Sequence, residues 1–377
     1  MEVIFILSYA LLIGYALLIL FYLVGWLLIK EYKSVLSEPT QYFTILIPAR
    51  NEAKVINDCL NSILAQEYPA DKYEIIVIDD HSEDETSLIV KQFISVNPFY
   101  NIRLIALHEH LPHGNKKEGI TLGVSMAKFE HILLTDADCL RGTLWLHSIA
   151  HFIQNKPAKM LYAPVFFSAE NTFEKIQSLE FAGLVGIGAA AIQLKNPNMC
   201  SAANLMFTKT AFESVDGYKD NMHLASGDDE FLLHKVFKKY PNEVWFLKDK
   251  RAIVSTSPNA SLDQLAQQRK RWVSKSTKYD ERYITAILVG AYLFNLSIVV
   301  NLVVGIWQAP YFYVGICQLV IKTLVEGLFL YQICAFFKER KLLFLLPLAE
   351  PFHILYVLII GIWANTKPFT WKNRTHH

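Results

Sequence analysis

Two hydrophobic patterns divide the chain. From Val3 to Ile29 no charged residue occurs, and Lys30, Glu31 and Lys33 follow at once. Crossing a bilayer takes about 20 apolar residues at a rise of about 1.5 Å each. Residues 1–30 therefore read as a transmembrane anchor whose basic end faces the cytoplasm. A cleaved signal peptide needs a basic start and a shorter apolar core, whereas Glu2 opens this chain and no small-residue cleavage site follows. A second apolar block, 283–364, predicts C-terminal transmembrane segments, with 365–377 as a tail. Between Tyr283 and Phe337 the only charges are Lys322 and Glu326, spaced to pair on one helix face and to look toward protein rather than lipid. Gln308, Ala309 and Pro310 divide the block into helices of about 24 and 27 residues. Leu342–Ala364 is interrupted by Pro347, Glu350 and Pro351. A full crossing there would put Lys367, Lys372 and Arg374 outside, against the positive-inside rule; a re-entrant segment broken at its two prolines would resolve this.

Between 40 and 260 the pattern changes to short apolar runs alternating with amphipathic ones. Phe43–Ala49, Glu74–Asp80, Ile102–Leu107 and His131–Asp136 read as strands. Ala53–Glu67, Glu83–Asn97 and Lys116–Lys128 have helical spacing. Such alternation predicts a mainly parallel sheet with right-handed crossovers, in which ligands sit beyond the carboxyl ends of the strands. Phe173–Ile192 is apolar but carries Glu174, Lys175 and Glu180, so it reads as a buried or interfacial helix rather than a span.

Composition agrees with the membrane assignment. Hydrophobic residues make up 53% and charged residues 19% of 377, against about 45–50% and about 25% in soluble domains. The net charge of +1 supplies no basic field for nucleic acid. Five scattered cysteines without a CxxC pair argue against a disulfide framework or a structural zinc site.

Polar and acidic residues cluster where the predicted strands end. Pro48-Ala49-Arg50-Asn51-Glu52 follows the first, Asp79-Asp80-His81-Ser82 the second, and Thr135-Asp136-Ala137-Asp138 the fourth. Any one of these alone can be a solvated turn or a helix cap, and Ser82 with Glu85 fits a capping box. His108, His110 and His113 lack helical metal-ligand spacing and read as a polar loop.

In order and spacing, these segments together with Lys116 before Gly119 resemble the nucleotide-sugar domain of family 2 glycosyltransferases over about residues 40–275. The resemblance implies a GT-A fold: an α/β, Rossmann-like, mainly parallel nucleotide-sugar-binding domain over 40–260, added to the transmembrane helices. It also implies a base pocket made by Asp79 and Asp80 with Ala49, Arg50 and Glu52. Two carboxylates at the spacing of Asp136 and Asp138 can hold Mg²⁺ or Mn²⁺ against a diphosphate, with Asp138 on the metal and Asp136 near ribose or metal. Lys116, at a presumed helix start, can meet phosphate, although Asn115 stands where the family often has glycine. Ser226-Gly227-Asp228-Asp229 matches the family's acidic pair, with Asp229 at the position of the base and Asp228 in place of a glutamate; the plain alternative is a helix cap. Gln268, Arg271 and Trp272 form the QxxRW signature on one face of a presumed interfacial helix, 261–280, which implies diphosphate clamping by Arg271 and acceptor stacking by Trp272. Its neighbours Arg269, Lys270, Lys275 and Lys278 read as headgroup contacts.

The resulting expectation is a metal-dependent inverting glycosyltransferase anchored in the inner or plasma membrane, with a cytoplasmic catalytic domain. It would take a nucleotide sugar, a UDP-sugar first, and pass the sugar to a lipid or a glycan delivered at the membrane. A processive β-polysaccharide synthase is the close alternative. An inactive nucleotide-sugar-binding scaffold is a distant one, since it has no need of both Asp138 and Asp229. A receptor or transporter fits poorly with so large an α/β insertion.

Overall fold

The computed structural model describes residues 2–35, 38–111, 114–224, 226–275, 281–363, 369–371 and 374–376. It divides into two compact units. An α/β unit takes 29–168 and 191–257, and a helical unit takes 1–28, 169–190 and 258–377.

After α1 (Glu2–Leu28), the α/β unit begins with the alternation read from the sequence. β1 (Phe43–Ala49), β2 (Tyr73–Asp79), β3 (Ile102–Ala106) and β4 (His131–Leu134) are separated by α2 (Ile56–Leu64), α3 (Thr86–Val96), the single turn α4 (Leu107–His110) and α5 (Lys116–Met126). Then come β5 (Leu140–Arg141), α6 (Trp145–Asn155), β6 (Met160–Tyr162) and β7 (Val165–Phe167). The chain leaves through α7 (Thr172–Gln193) and returns for β8 (Leu205–Thr208), α8 (Lys209–Ser214), α9 (Glu230–Lys239), β9 (Val244–Phe246) and β10 (Val254–Thr256). The main sheet has the order β3-β2-β1-β4-β8-β6-β9, and β5-β10-β7 form a smaller one. β3, β2, β1 and β4 run parallel, and β8 alone opposes its neighbours β4 and β6. Every residue of β1 and β2 is buried, as central strands covered on both faces require. From β1 the chain builds outward to β2 and β3, then returns to β4 on the other side of β1. That reversal opens a crevice beyond the carboxyl ends of β1 and β4.

The start of α3 differs from the capping box expected at Ser82. The helix begins at Thr86 with Glu85 as an uncapped N-cap, because the Ser82 hydroxyl instead accepts from the Asn51 amide at 3.0 Å. A reciprocal box forms at α5, between Asn115 and Glu118.

Residues just beyond α1 are bound into the α/β unit. The Tyr32 amide donates to the Lys248 carbonyl at 2.8 Å, and the Lys248 ammonium donates to the Ile29 carbonyl at 3.1 Å. Buried Asp249 accepts from the Ser34 hydroxyl at 2.9 Å, the Ser148 hydroxyl at 2.7 Å and the Arg251 amide at 3.0 Å.

The helical unit adds α10 (Leu262–Val273), α11 (Arg282–Val304), α12 (Ala309–Phe337) and α13 (Leu346–Trp363) to α1 and most of α7. Among the described residues, five helices are long and apolar enough to cross a membrane: α1, α7, α11, α12, and α13 with the turn before it. The break at Gln308 falls where expected, with Gln308 as the N-cap of α12 and Pro310 in its first turn. Lys322 is fully buried 2.6 Å from Glu326, and it also pairs with Glu350 of α13, while the Tyr15 hydroxyl of α1 donates to Glu326. Asn301 of α11 donates to Ser8 of α1 and to Gln318 of α12, each at 2.9 Å.

One open alternative is resolved and one expectation corrected in this unit. The segment after Leu342 is not broken at its prolines: Pro347 occupies the first turn of α13, where a missing N–H costs nothing, and the helix runs on through Pro351. Arg269 and Lys270 do not face outward. Both are buried, Arg269 donating to Glu180 of α7 at 2.7 Å and Lys270 lying 5.6 Å from the Trp363 ring. Pairing with a carboxylate inside the unit satisfies Arg269 where a headgroup would otherwise be needed. Lys278, Lys367 and Lys372 lie outside the described residues.

α7 packs on α12 through a small residue. A Cβ on Gly186 would stand 2.0 Å from Ile333 Cδ1 and 3.1 Å from Phe329 Cζ, so the close approach requires glycine. Gly186→Val should cost about 1–3 kcal/mol through overpacking, read as a lower thermal midpoint of the detergent-solubilised chain; an unchanged midpoint would remove this contact from the packing account. Lys248 supplies a pH test. Burial lowers its pKa from 10.5 to about 8, with Glu31 opposing. Between these values the unfolded chain holds a proton that the folded chain has released, so stability rises with pH across that window. Comparing thermal midpoints at about pH 7.5 and about pH 10, Lys248→Met should show a smaller rise than the wild type.

Candidate functional site

The loops after β1 and β2 lock together before any ligand is considered. Arg50, 5% exposed at its side chain, donates to the carbonyls of Asp80 at 2.8 Å and His81 at 2.9 Å and to Glu83 at 3.2 Å. Asn51 accepts from the Glu83 amide at 2.8 Å, and the Glu52 amide donates to Thr86 Oγ1 at 2.8 Å. Asn51 and His81 both have left-handed backbones, with φ of 53° and 57°, a cost that these cross-loop bonds offset. Asp79 spends both carboxylate oxygens on the turn, accepting from the Ser82 amide at 3.1 Å and the Ser87 hydroxyl at 2.5 Å. Asp80 is buried, with Oδ1 3.0 Å from His81 Nδ1. The rings of His81 and His108 lie 6.3 Å apart. His108 and His110 sit on the single turn α4; His113 is outside the described residues. Ala49 is buried at the end of β1, its carbonyl accepting from the Asp80 amide at 2.8 Å.

Beyond β4, Asp136, Asp138 and Cys139 bring one ligand atom each to within 4.8 Å of one another, the one such grouping among the described residues. Asp138 Oδ2 accepts from the Thr256 hydroxyl of β10 at 3.0 Å, and the Cys139 thiol lies 3.6 Å from Oδ1. Two hard carboxylates with a thiol already directed at one of them suit Mg²⁺ or Mn²⁺ better than a thiophilic metal. The loop rests on Arg141, which the sequence reading missed. Its buried guanidinium donates to the Cys139 carbonyl at 2.7 Å and to Thr135 Oγ1 at 3.2 Å, and stacks 5.1 Å from the Trp145 ring. Asn204, also missed, is fully buried and bonds Trp145 Nε1 and the carbonyls of Pro164 and Ala252 at 2.8–2.9 Å. An arginine three residues after Asp138 and an asparagine beside a strand carry no periodic signal.

Lys116 joins this loop to the second acidic pair. Its ammonium is 3.1 Å from Asp136 Oδ1 and 3.1 Å from Asp228 Oδ2. Burial works against the charged form, but the charges of Asp136 and Asp228, a hydrogen bond to Asp228 and the charge of Asp229 outweigh it and hold the Lys116 pKa well above the ordinary lysine value. Lys117 turns inward, donating to the carbonyls of Asn221 at 2.7 Å and Ser226 at 3.0 Å, and so braces the segment that carries Asp228. Asp229 is the N-cap of α9, its carboxylate accepting from the Glu230 amide at 2.9 Å and the Ala202 amide at 3.2 Å. Capping therefore holds, and it fixes both oxygens of the carboxylate in place.

Gln268, Arg271 and Trp272 belong to the helical unit, on α10 as the spacing predicts. Gln268 accepts from Asn259 Nδ2 at 2.9 Å, and Trp272 lies under the Arg269 guanidinium at 4.2 Å. Their roles toward diphosphate and acceptor rest on the sequence resemblance.

A parallel sheet with one opposed strand and two carboxylates at the crevice gives a GT-A-like domain. Residues 44–216 match the family model of glycosyl transferase family 2, and the chain carries a domain of that family. Glycosyltransferase AglE of Haloferax volcanii is 25% identical over 197 residues, which cover 50% of this chain and 59% of that protein. Poly-beta-1,6-N-acetyl-D-glucosamine synthase of Staphylococcus epidermidis is 28% identical over 180 residues, 47% of this chain and 42% of that one. The chain thus spans about half the length of the curated relatives it matches. In fold it is similar to the mannosyltransferase PcManGT from Pyrobaculum calidifontis, solved in complex with GDP-Man and Mn²⁺, with a TM-score of 0.59, 17% identity and coverage of 96% of this chain and 99% of that one.

Asp138→Asn should weaken Mn²⁺ binding by about tenfold or more while leaving the thermal midpoint near the wild-type value. Titration of free Mn²⁺ by electron paramagnetic resonance measures it, and equal affinity in the two proteins would take Asp138 out of the metal set.

Proposed function

We propose that this chain is an integral membrane glycosyltransferase that transfers a sugar with inversion from a nucleotide sugar, a UDP-sugar first, to a lipid or a membrane-delivered glycan, with its catalytic unit in the cytoplasm. The observation that carries the reading is the Lys116 bridge. One ammonium contacts both Asp136 and Asp228, so the metal-type carboxylates and the acidic pair serve a single site.

Asp80, with Ala49, Arg50 and Glu52 shaping the loop around it, reads the base, while Asp79 holds the turn that presents it. A divalent cation on Asp138 and Asp136, Mg²⁺ or Mn²⁺, would offset the charge of the departing diphosphate. Asp229 takes the proton from the acceptor hydroxyl as that oxygen bonds to the anomeric carbon, and the electrons of the breaking sugar–oxygen bond leave with the diphosphate. The amides of Ala202 and Glu230 orient this carboxylate. Asp228 keeps Lys116 beside it, charged and ready to meet phosphate. Gln268, Arg271 and Trp272 keep the diphosphate and acceptor roles that the resemblance implies.

A processive β-polysaccharide synthase is the second reading, favoured by the likeness to proteins named poly-beta-1,6-N-acetyl-D-glucosamine synthase. A ladder of product lengths separates the two.

Labelled nucleotide sugars incubated with membranes containing the chain test the activity. Asp229→Asn should keep UDP binding by calorimetry and lose about 10²–10⁴-fold in transfer rate. Unchanged turnover would reject Asp229 as the base.

A further inference from the structure

A cavity of about 350 Å³ lies at the edge of the α/β unit, outside the site just described, bordered by Ile192, Gln193, Lys195, Asn242 and Trp245. β9, which carries Trp245, is the edge strand of the main sheet. Trp245 is fixed by donating its indole N–H to the Pro157 carbonyl at 3.0 Å. Two ammonium groups flank its ring, Lys156 at 4.9 Å and Lys195 at 5.2 Å from the centroid. Lys195 uses one N–H on the Pro241 carbonyl at 2.8 Å and keeps the others. Neither lysine pairs with a carboxylate among the described residues. Lys159 and Lys239 extend the pattern, each 5.8 Å from the Tyr240 ring. Across 156–160, 191–196 and 236–246, the lysines 156, 159, 195, 238 and 239 face a single carboxylate, Glu243.

Two chain connections give this basic and aromatic edge its meaning. The cavity's Ile192 and Gln193 are the last residues of α7. Two residues after β9, Lys248 bonds the backbone of Ile29 and Tyr32, the first residues after α1. α1 is apolar and long enough to cross a membrane, and α7 is an apolar helix whose two ends both join strands of the α/β unit. Tryptophan with lysines around it, on a strand held beside the exit of such an anchor helix, matches the composition of the headgroup layer, where an indole is half in apolar surroundings and ammonium groups meet phosphate.

We propose that this cavity binds the headgroup phosphate of an anionic membrane lipid, with Trp245 as the amphipathic anchor and Lys156 and Lys195 as its charge partners. Each lysine near an anionic surface contributes about fivefold in affinity.

The test uses the full chain reconstituted in phosphatidylcholine vesicles doped with brominated phosphatidylglycerol or brominated phosphatidylcholine. Subtracting the quenching seen in Trp245→Phe isolates the signal of Trp245. That signal should be quenched at much lower mole fraction of the anionic lipid. Lys156→Gln with Lys195→Gln, both exposed substitutions that leave the ring in place, should reduce the preference by about fivefold per lysine. Equal quenching by the two lipids, or none by either, would overturn the proposal. So would a Trp245 response to inorganic phosphate in pure phosphatidylcholine equal to that produced by phosphatidylglycerol, since the ligand would then be a soluble anion.

Discussion

Asp136, Asp138, Asp228 and Asp229 come to one end of the α/β unit, and carboxylates gathered this way repel one another. Lys116 makes the arrangement tolerable. It stands between Asp136 and Asp228 at 3.1 Å from each, and its position is set by a helix start that Asn115 and Glu118 cap reciprocally. Lys117, one residue on, is spent on backbone carbonyls of the facing segment. Adjacent lysines thus divide the work: one bridges two of the carboxylates, and the other holds the loop that brings half of them.

The helical unit uses the same device in drier surroundings. Lys322 is buried between Glu326 and Glu350, and a hydrogen-bonded set of Ser8, Asn301 and Gln318 links α1, α11 and α12. Apolar side chains alone give helices in lipid little preference for one partner over another, whereas polar groups with few ways to be satisfied select a register. Gly186 adds a steric requirement, since only its missing Cβ lets α7 reach Ile333 and Phe329.

Much of this was legible in the pattern of residues. Period-two and fully apolar runs marked β1 through β4 within a residue or two at each end, and the split at Gln308 marked α11 and α12. The acidic strand ends marked the crevice because carboxylates have few other reasons to recur just after buried strands. The course of the segment after Leu342 was left open, since sequence cannot distinguish a first-turn proline from an interior breaker. Arg269 was misread as outward-facing because its partner, Glu180, lies about ninety positions earlier on another helix.

Local sequence by itself determined the first four strands, which helices are apolar enough for a bilayer, and where polar and acidic side chains gather, because periodicity, capping and charge density act over a few residues. Only the tertiary structure decided how those side chains are used. Arg50 and Asp79 are committed to holding loops, Arg141 supports the metal-type carboxylates from beneath, and Lys116 connects two acidic motifs separated by about ninety residues. Each role depends on a contact between distant parts of the chain, and the geometry of such contacts exists only once the sheet has formed and its crossovers have brought the loop ends to one edge.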